Sequence, residues 1–167
     1  MANPTVRVLA EEDWALVRQI RLESLQQHPD LFCPSRDEFA FMGEDWRARL
    51  RDTHGATFGL FVDDEICGIS TIMREGNQPD ARRAELAGSY IRQDYRGQGL
   101  SRLFYEARIG WAKSQGDIDT LIVEAQEDNH ASHGAHRHFG FAFVHKELRA
   151  QLDGSALATL VYALELE

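Results

Sequence analysis

Apolar residues recur along this 167-residue chain with two periods, and the periods divide it into strands and helices. A period of two predicts strands, and apolar residues three or four positions apart predict amphipathic helices. The predicted elements are a strand at 5–9, a helix beginning at 11–13, a loop at 27–36, a short helix at 43–51, strands at 58–62 and 66–73, a turn at 76–80, a strand at 84–91, a helix from 100, a strand at 121–125, a short helix after 129, and strands at 143–149 and 157–164. This order predicts an α/β fold, with a mixed, mostly antiparallel sheet of about seven strands flanked by four helices, in a single domain covering 1–167.

Residues 95–101, with the sequence YRGQGLS, lie between a predicted strand and a predicted helix. Glycines allow the backbone to approach an anion closely, and the free N–H groups at a helix N-terminus attract negative charge. Arg96 adds a forked donor that fits phosphate. The segment therefore predicts a phosphate-binding loop.

The pattern Arg96-x-x-Gly99-x-Ser101 resembles the acyl-CoA pyrophosphate loop of the GNAT family of N-acetyltransferases. That family shows Gln or Arg, two residues, Gly, one residue, and then Gly or Ala. Its second element is an Asn, a Tyr seven residues later, and Gly-Phe four residues after the Tyr. Here Asn129 has that spacing, with His136 at the tyrosine position. The resemblance covers roughly 58–164, is looser before residue 58, and departs from the family pattern at Ser101 and His136.

The resemblance implies the GNAT fold and acetyl-CoA as co-substrate. It also implies that the strand backbone near residues 90–93 pairs with the pantetheine arm through main-chain groups. The residues expected to bind the cofactor are Ile91, Arg92, Arg96, Gly97, Gln98, Gly99, Leu100, Ser101 and Asn129.

Acyl transfer to an amine needs a base, a donor for the oxyanion and an acid for the departing thiolate. Glu85 is the predicted base, because it stands eleven residues before Arg96, as the strand glutamate does in the histone-acetyltransferase branch of the family. A solvated strand carboxylate is the alternative interpretation. His136 is the predicted acid, since an imidazole suits proton transfer near pH 7. Tyr90 and Tyr105 are alternative phenolic acids.

The predicted reaction is direct attack by a primary amine on acetyl-CoA in a ternary complex. Cys33 and Cys67 lie outside the motif elements and lack the adjacent base that a nucleophile needs. Phe32, Phe39 and Trp46 are expected to line the acceptor site, with core packing as the alternative. A small-molecule amine is the expected acceptor. The alternatives are a peptide or protein amine, or a CoA-binding module without activity.

Composition limits the partners. A formal net charge of −9 argues against nucleic acid, which needs a basic face. No apolar run approaches membrane-spanning length, and the N-terminus lacks a signal-peptide pattern, so a cytoplasmic protein is expected. Three histidines spaced three apart, His130, His133 and His136, lack the further ligands of a metal site, and no metal is expected. The family resemblance leaves a homodimer open.

Overall fold

The computed structural model describes residues 3–29, 37–151 and 153–167. Within them, seven strands form one sheet in the order β1-β2-β3-β4-β5-β7-β6. The strands are β1 (Pro4–Val8), β2 (Gly55–Val62), β3 (Glu65–Arg74), β4 (Arg83–Ile91), β5 (Thr120–Gln126), β6 (Ala142–Ala150) and β7 (Ala156–Glu165). The helices are α1 (Trp14–Gln27), α2 (Gly43–Arg51), α3 (Ser101–Gln115) and α4 (His130–His138). The predicted fold class, a mixed sheet of seven strands with four helices, is confirmed.

The helices cover both faces of the sheet, and each face has its own apolar cluster. α1 and α2 pack on one face, where Ile20 and Trp46 meet Ile69. α3 packs on the other face, where Phe104 meets Leu121. Burial of apolar side chains on both faces is the main force that holds helices against a sheet. No helix in the described ranges is long and apolar enough to cross a membrane.

The β2–β3 hairpin shows how local sequence sets the register. Val62 pairs with Glu65, so the loop contains only Asp63 and Asp64. Both have positive φ values, 51° and 67°. Two such residues form the turn whose twist matches a hairpin, and Asp tolerates this conformation better than most residues. The strand bounds predicted from the sequence, 58–62 and 66–73, leave Glu65 in the loop, whereas it is the first residue of β3.

The sheet opens between β4 and β5, and this opening positions the site. These two strands are parallel, and they pair only from Arg83 opposite Thr120 to Leu86 opposite Val123. Beyond that point β4 bulges at Gly88, which has a φ of 63°. The strands then diverge around a cavity of about 520 Å³ that α3 and α4 also line. We call this cavity the β4–β5 cleft.

Candidate active site

The loop before α3 forms one end of the β4–β5 cleft. Gly97 and Gly99 have φ values of 76° and 74°, a conformation that costs other residues roughly 1–2 kcal/mol. Beyond the flanking residues, nothing lies within 4 Å of the Cβ position at either glycine. The N–H groups of Gly97, Gly99, Leu100 and Ser101 find no acceptor among the described residues. Free donors at the start of a fifteen-residue helix favour an anion, and phosphate binding by this loop stays a prediction.

Arg96 braces this loop against the end of β4. Its Nε donates to the Ile91 carbonyl at 2.6 Å, and its Nη2 lies 2.9 Å from His28 Nε2. The guanidinium carbon lies 5.7 Å from the centre of the Tyr90 ring. The side chain is exposed and lines the cleft, and its contact with phosphate stays a prediction.

Arg92 and Ile91 face opposite ways. The Arg92 N–H donates to the Cys67 carbonyl at 2.8 Å, while its side chain reaches Glu23 at 3.0 Å and the Ile66 carbonyl at 3.0 Å. Arg92 therefore ties β4 to β3 and α1, away from the cleft. Because consecutive peptide groups in a strand point to opposite sides, those of Ile91 face the cleft. Of these two predicted cofactor residues, Ile91 has the suitable placement.

Three further predicted cofactor residues lie around the loop and α3. The Gln98 side chain donates to the Asp94 carbonyl at 3.2 Å, within its own loop. Leu100 is half-buried and packs against the apolar cluster on the α3 face. Ser101 is exposed at the first turn of α3 and lines the cleft. An exposed hydroxyl at this position leaves the neighbouring N–H groups accessible.

Asn129 begins α4 on the opposite side of the cleft. Its Oδ1 accepts a hydrogen bond from the Ser132 N–H at 3.3 Å, so it caps the helix. Asn129 also lines the cleft. An amide has a donor end as well as an acceptor end, so its NH₂ group remains for a ligand.

His136 forms a buried pair with Tyr105. The Tyr105 Oη lies 2.6 Å from His136 Nδ1, and both side chains line the cleft. The other ring nitrogen, Nε2, is buried without a hydrogen-bond partner in the described residues. His133, one helical turn away, has partners at both nitrogens, at 3.1 Å each. Of these two buried histidines, His136 is thus the one with an unpaired ring nitrogen. Within the described ranges, no group of three or more His, Cys, Asp or Glu residues is arranged to hold a metal ion.

Burial keeps both members of this pair neutral. It lowers the pKa of His136 to about 4 and raises the pKa of Tyr105 to about 12. At pH 7 the phenol therefore keeps its proton and the imidazole carries only one. With Tyr105 as the donor to Nδ1, the imidazole proton lies on Nε2. His136 can then donate the proton on Nε2 and receive one at Nδ1 from the Tyr105 hydroxyl.

The lowered pKa of His136 predicts that the protein becomes less stable as the pH decreases. An unfolded histidine binds a proton near about pH 6.5, whereas His136 in the folded protein does so only near pH 4. Stability linked to this group is therefore complete above about pH 6.5 and declines between pH 6.5 and pH 4, by about 2–4 kcal/mol. Denaturant unfolding of wild type and His136→Phe across this range measures the difference. Parallel curves for the two proteins would contradict the assignment.

Two carboxylates lie beside the cleft. Glu124 on β5 lines it directly and forms an ion pair with Arg149. Burial raises the pKa of Glu124, Arg149 opposes that rise, and the charge of Glu85 adds to it. Glu85, the predicted base, is half-buried on β4 and pairs in register with Ile122. That register places Glu85 and Glu124 on the same face of the sheet.

A second cavity, of about 690 Å³, lies on the face that α1 and α2 cover. We call it the α1-side cavity. Val17 and Arg21 of α1 and Thr71 of β3 contribute to its wall. Ala87 and Gly88, at the bulge of β4, line both this cavity and the β4–β5 cleft. The two cavities therefore meet at the bulge from opposite faces of the sheet.

A charged cluster forms one wall of the α1-side cavity. Glu38 is only 4% exposed and accepts hydrogen bonds from Arg21 at 3.0 and 2.9 Å and from Arg49 at 2.7 Å. Burial alone would raise the pKa of Glu38, but the two arginines outweigh it and hold the pKa below its usual value. The cluster fixes the short helical turn Glu38–Ala40 against α1 and α2.

The three residues predicted to line the acceptor site have different placements. Trp46 is fully buried in the apolar cluster under α1 and α2 and lines neither cavity. Phe39 is 49% exposed, on the short helical turn beside the α1-side cavity. Phe32 lies outside the described residues. A role for these residues in acceptor binding stays a prediction.

Gly99→Ala is expected to lower acetyl-CoA affinity at least tenfold. A side chain at a φ of 74° is strained and displaces the N–H groups that form the anion site. Gly116→Ala is the matched control, because Gly116 has a φ of 79° and equally open surroundings at the far end of α3. Both variants should lose roughly 1–2 kcal/mol of stability, because each places a side chain at a positive φ. Calorimetry with acetyl-CoA showing equal affinity for both would contradict the loop assignment.

The sequence did not single out Glu124 and Arg108, although both line the cleft. Glu124 is half-buried and follows three consecutive buried residues of β5, so no alternation marks its outward position. Ser101, Tyr105 and Arg108 stand at i, i+4 and i+7, so they form one stripe of α3. That stripe was the signal for Arg108, but a charged helix residue ordinarily indicates a solvent-exposed face.

The sequence matches the model of the acetyltransferase (GNAT) family over residues 14–141. No curated protein sequence matches the chain.

Three solved structures share the fold. The acetyltransferase of GNAT family from Streptococcus pneumoniae is 18% identical, with a TM-score of 0.78 over 98% of this chain and 100% of that chain. The Salmonella typhimurium protein yncA, solved with its cofactor acetyl-CoA, is 17% identical, with a TM-score of 0.80 over 98% and 94%. The S. typhimurium acetyl transferase that modifies the N-terminal serine of ribosomal protein L7/L12 is 17% identical, with a TM-score of 0.74 over 98% and 95%.

At these identities the similarity to solved structures establishes the fold. The family match extends over much more than half of the chain. The chain therefore belongs to the acetyltransferase (GNAT) family, and it is an acyl-CoA-dependent N-acetyltransferase with acetyl-CoA as its co-substrate.

Proposed function

We propose that this protein transfers the acetyl group of acetyl-CoA to the primary amine of a small molecule, by direct attack in a ternary complex. The observation that carries the proposal is the meeting of two cavities at Ala87 and Gly88. The β4–β5 cleft, with the anion site at one end, would hold the co-substrate. The α1-side cavity would hold the amine on the other side of the bulge.

The cofactor side is assigned to groups that line the cleft or lie in the loop at its end. The free N–H groups of Gly97, Gly99, Leu100 and Ser101 would bind the pyrophosphate, with Arg96 beside them. The residues further along would hold the pantetheine arm, namely Ile91 through its peptide groups and Asn129 through its NH₂ group. Acetyl-CoA supplies the acetyl group as a thioester.

The amine must lose a proton before or during attack, because a free alkylammonium has a pKa of about 10. Glu124, with Glu85 beside it, is the proposed acceptor of that proton, directly or through water. Burial raises the pKa of Glu124, and a carboxylate of higher pKa is a stronger base toward the ammonium. Tyr105 and His136 would protonate the thiolate on the opposite side of the cleft.

Direct attack is supported by the state of Cys67. Its side chain is fully buried, and burial raises its thiol pKa to about 11. A thiol of that pKa is almost entirely protonated at pH 7 and is a poor nucleophile. Cys33 lies outside the described residues.

A small acceptor is supported by the size of the α1-side cavity. About 690 Å³ lies within the range of pockets that enclose small ligands. A protein N-terminus is the second candidate, because one structure of the same fold modifies the N-terminal serine of ribosomal protein L7/L12. A peptide acceptor would need the cavity to extend into an open groove.

The test is thiol release from acetyl-CoA over a panel of amino acids, polyamines, aminoglycosides and peptides with free N-termini. The proposal expects release that depends on a small amine, with the acetylated amine identified by mass spectrometry. Turnover with peptides alone would mean that the acceptor is a peptide or protein amine and not a small molecule. Tight binding of CoA with no turnover over the whole panel would favour a CoA-binding module without activity.

A further inference from the structure

Arg108 is a buried cation at the β4–β5 cleft without a carboxylate partner. Its side chain lies on α3, is only 2% exposed and lines the cleft. In the described ranges no Asp or Glu lies within ion-pair distance of it. The acidic side chain that lines the same cleft, Glu124, is paired with Arg149.

The contacts of Arg108 are to neutral groups. Nη1 donates to the Ser89 Oγ at 3.0 Å and Nε donates to the Phe104 carbonyl at 3.2 Å. The guanidinium carbon lies 5.2 Å from the centre of the Tyr105 ring. Nη2 makes no hydrogen bond to any described residue. Burial lowers the pKa of Arg108 to about 10, so the group is still charged at pH 7.

A buried charge without a counter-ion is costly, and a second deeply buried arginine among the described residues avoids that cost. Arg74 is 6% exposed, but it forms an ion pair with Asp117 at 2.7 Å and donates to the Ala81 carbonyl at 2.7 Å. Replacing an unfavourable buried charge with an apolar side chain is often neutral or stabilising. Arg108 is therefore placed where it weakens the fold, which points to a use in the cleft.

The position along α3 shows what that use is. The anion site is at the start of the helix, and Tyr105 follows one turn later. Arg108 lies seven positions after Ser101, a rise of about 10.5 Å along the helix. Arg108 lies beside the Tyr105–His136 pair, and its charge lowers the pKa of both members. The groups that would meet the departing thiolate thus lie next to a fixed positive charge.

We propose that Arg108 stabilises the negative charge that forms on the sulfur of departing CoA, as a fixed cation beside the Tyr105–His136 pair. This inference rests on the proposed function. In the step concerned, the amine nitrogen forms a bond to the carbonyl carbon and the carbon–sulfur bond breaks. The sulfur keeps the electrons of that bond and then takes a proton from Tyr105 and His136. The amine proton passes to the carboxylate side, and solvent returns a proton to Tyr105 and His136.

Removing the Arg108 guanidinium should leave none of its hydrogen-bond acceptors without a partner. Ser89 Oγ keeps its hydrogen bond to Ser70 Oγ, at 2.6 Å. The Phe104 carbonyl keeps its place in the helical hydrogen-bond ladder. Methionine is flexible and fills a space of similar length without charge. Arg108→Met should therefore fold.

The experiment titrates the thiol of CoA bound to the protein, by thiolate absorbance in the ultraviolet, against free CoA in the same buffer. Wild type is expected to lower the thiol pKa by at least one unit. Arg108→Met should raise it by at least one unit relative to wild type, and Arg108→Lys should restore part of the shift. Turnover of Arg108→Met should fall about tenfold, while its melting temperature stays equal to or above that of wild type.

Arg74→Met is the matched control, because it removes a buried arginine whose charge is already neutralised. It should lower the melting temperature and leave the pKa of the bound thiol unchanged. If Arg108→Met lowers the melting temperature and leaves the thiol pKa at the wild-type value, Arg108 is structural and the proposal is wrong. A protein that lowers the thiol pKa through Arg108 but acetylates no amine would support Arg108 while overturning the proposed function.

Discussion

His136→Phe is expected to lower turnover by about 10²-fold or more, with little change in acetyl-CoA affinity. The reason is that thiolate departure loses its proton donor, and general-acid catalysis contributes at about this level. Tyr105→Phe should cause a similar loss, because the two side chains share one hydrogen bond of 2.6 Å. The double variant should be little worse than either single variant, as for groups that act as a unit. Steady-state kinetics and calorimetry measure the two quantities separately.

Tyr90→Phe is the control for this prediction. Tyr90 also lines the cleft, but its hydroxyl donates to Gln27 Oε1 at 2.9 Å, on α1. Its loss should cost about 1 kcal/mol of stability and leave turnover near the wild-type rate. If Tyr90→Phe abolished turnover while His136→Phe and Tyr105→Phe kept it, the acid would be Tyr90. Full activity in all three variants would mean that thiolate departure needs no side-chain acid.

Glu124→Gln is expected to lower turnover by about 10²-fold at pH 7. The loss should shrink as the pH approaches the pKa of the free amine. At low pH the amine is protonated and needs a base, whereas at high pH it is already neutral. Glu85→Gln should cause a smaller loss of the same pH dependence, because Glu85 acts beside Glu124 and through its charge. A pH profile of kcat/KM for each variant measures both.

Glu127→Gln is the matched control for the carboxylates. Glu127 forms an ion pair with Lys146 as Glu124 does with Arg149, but it does not line the cleft. Its replacement should leave the pH profile unchanged. If Glu85→Gln lost more turnover than Glu124→Gln, Glu85 would be the general base, as the sequence alone predicts. Losses of kcat/KM that do not depend on pH would mean that neither Glu85 nor Glu124 takes part in proton transfer.

Most of the fold was predictable from local patterns in the sequence. The two periodicities, the Asp63-Asp64 turn and the glycines at 97 and 99 each have a physical signature within a few residues. The loop before α3 was predictable for this reason, since glycine is the residue that accepts positive φ cheaply. The β2 strand nevertheless begins at Gly55, three residues before the predicted start, because pairing with β3 extends it.

Side-chain partners depend on distant residues and were not predictable. Arg96 has the composition of a phosphate ligand, yet its Nε is bound to the Ile91 carbonyl because the chain folds back there. Trp46 lies on an amphipathic helix, and only the packing of α1 on α2 makes it core. Arg108 carries a charge that normally indicates solvent, and only the position of α3 against β4 buries it.

The measurement that tests the central claim most directly is the initial rate of thiol release over a matrix of acetyl-CoA and acceptor concentrations, with the best amine from the panel. Attack in a ternary complex predicts double-reciprocal lines that intersect, since both substrates must occupy the two cavities before the acetyl group moves. Parallel lines, with an acetylated protein detected by mass spectrometry in the absence of amine, would mean that a side chain carries the acetyl group, and would contradict the account.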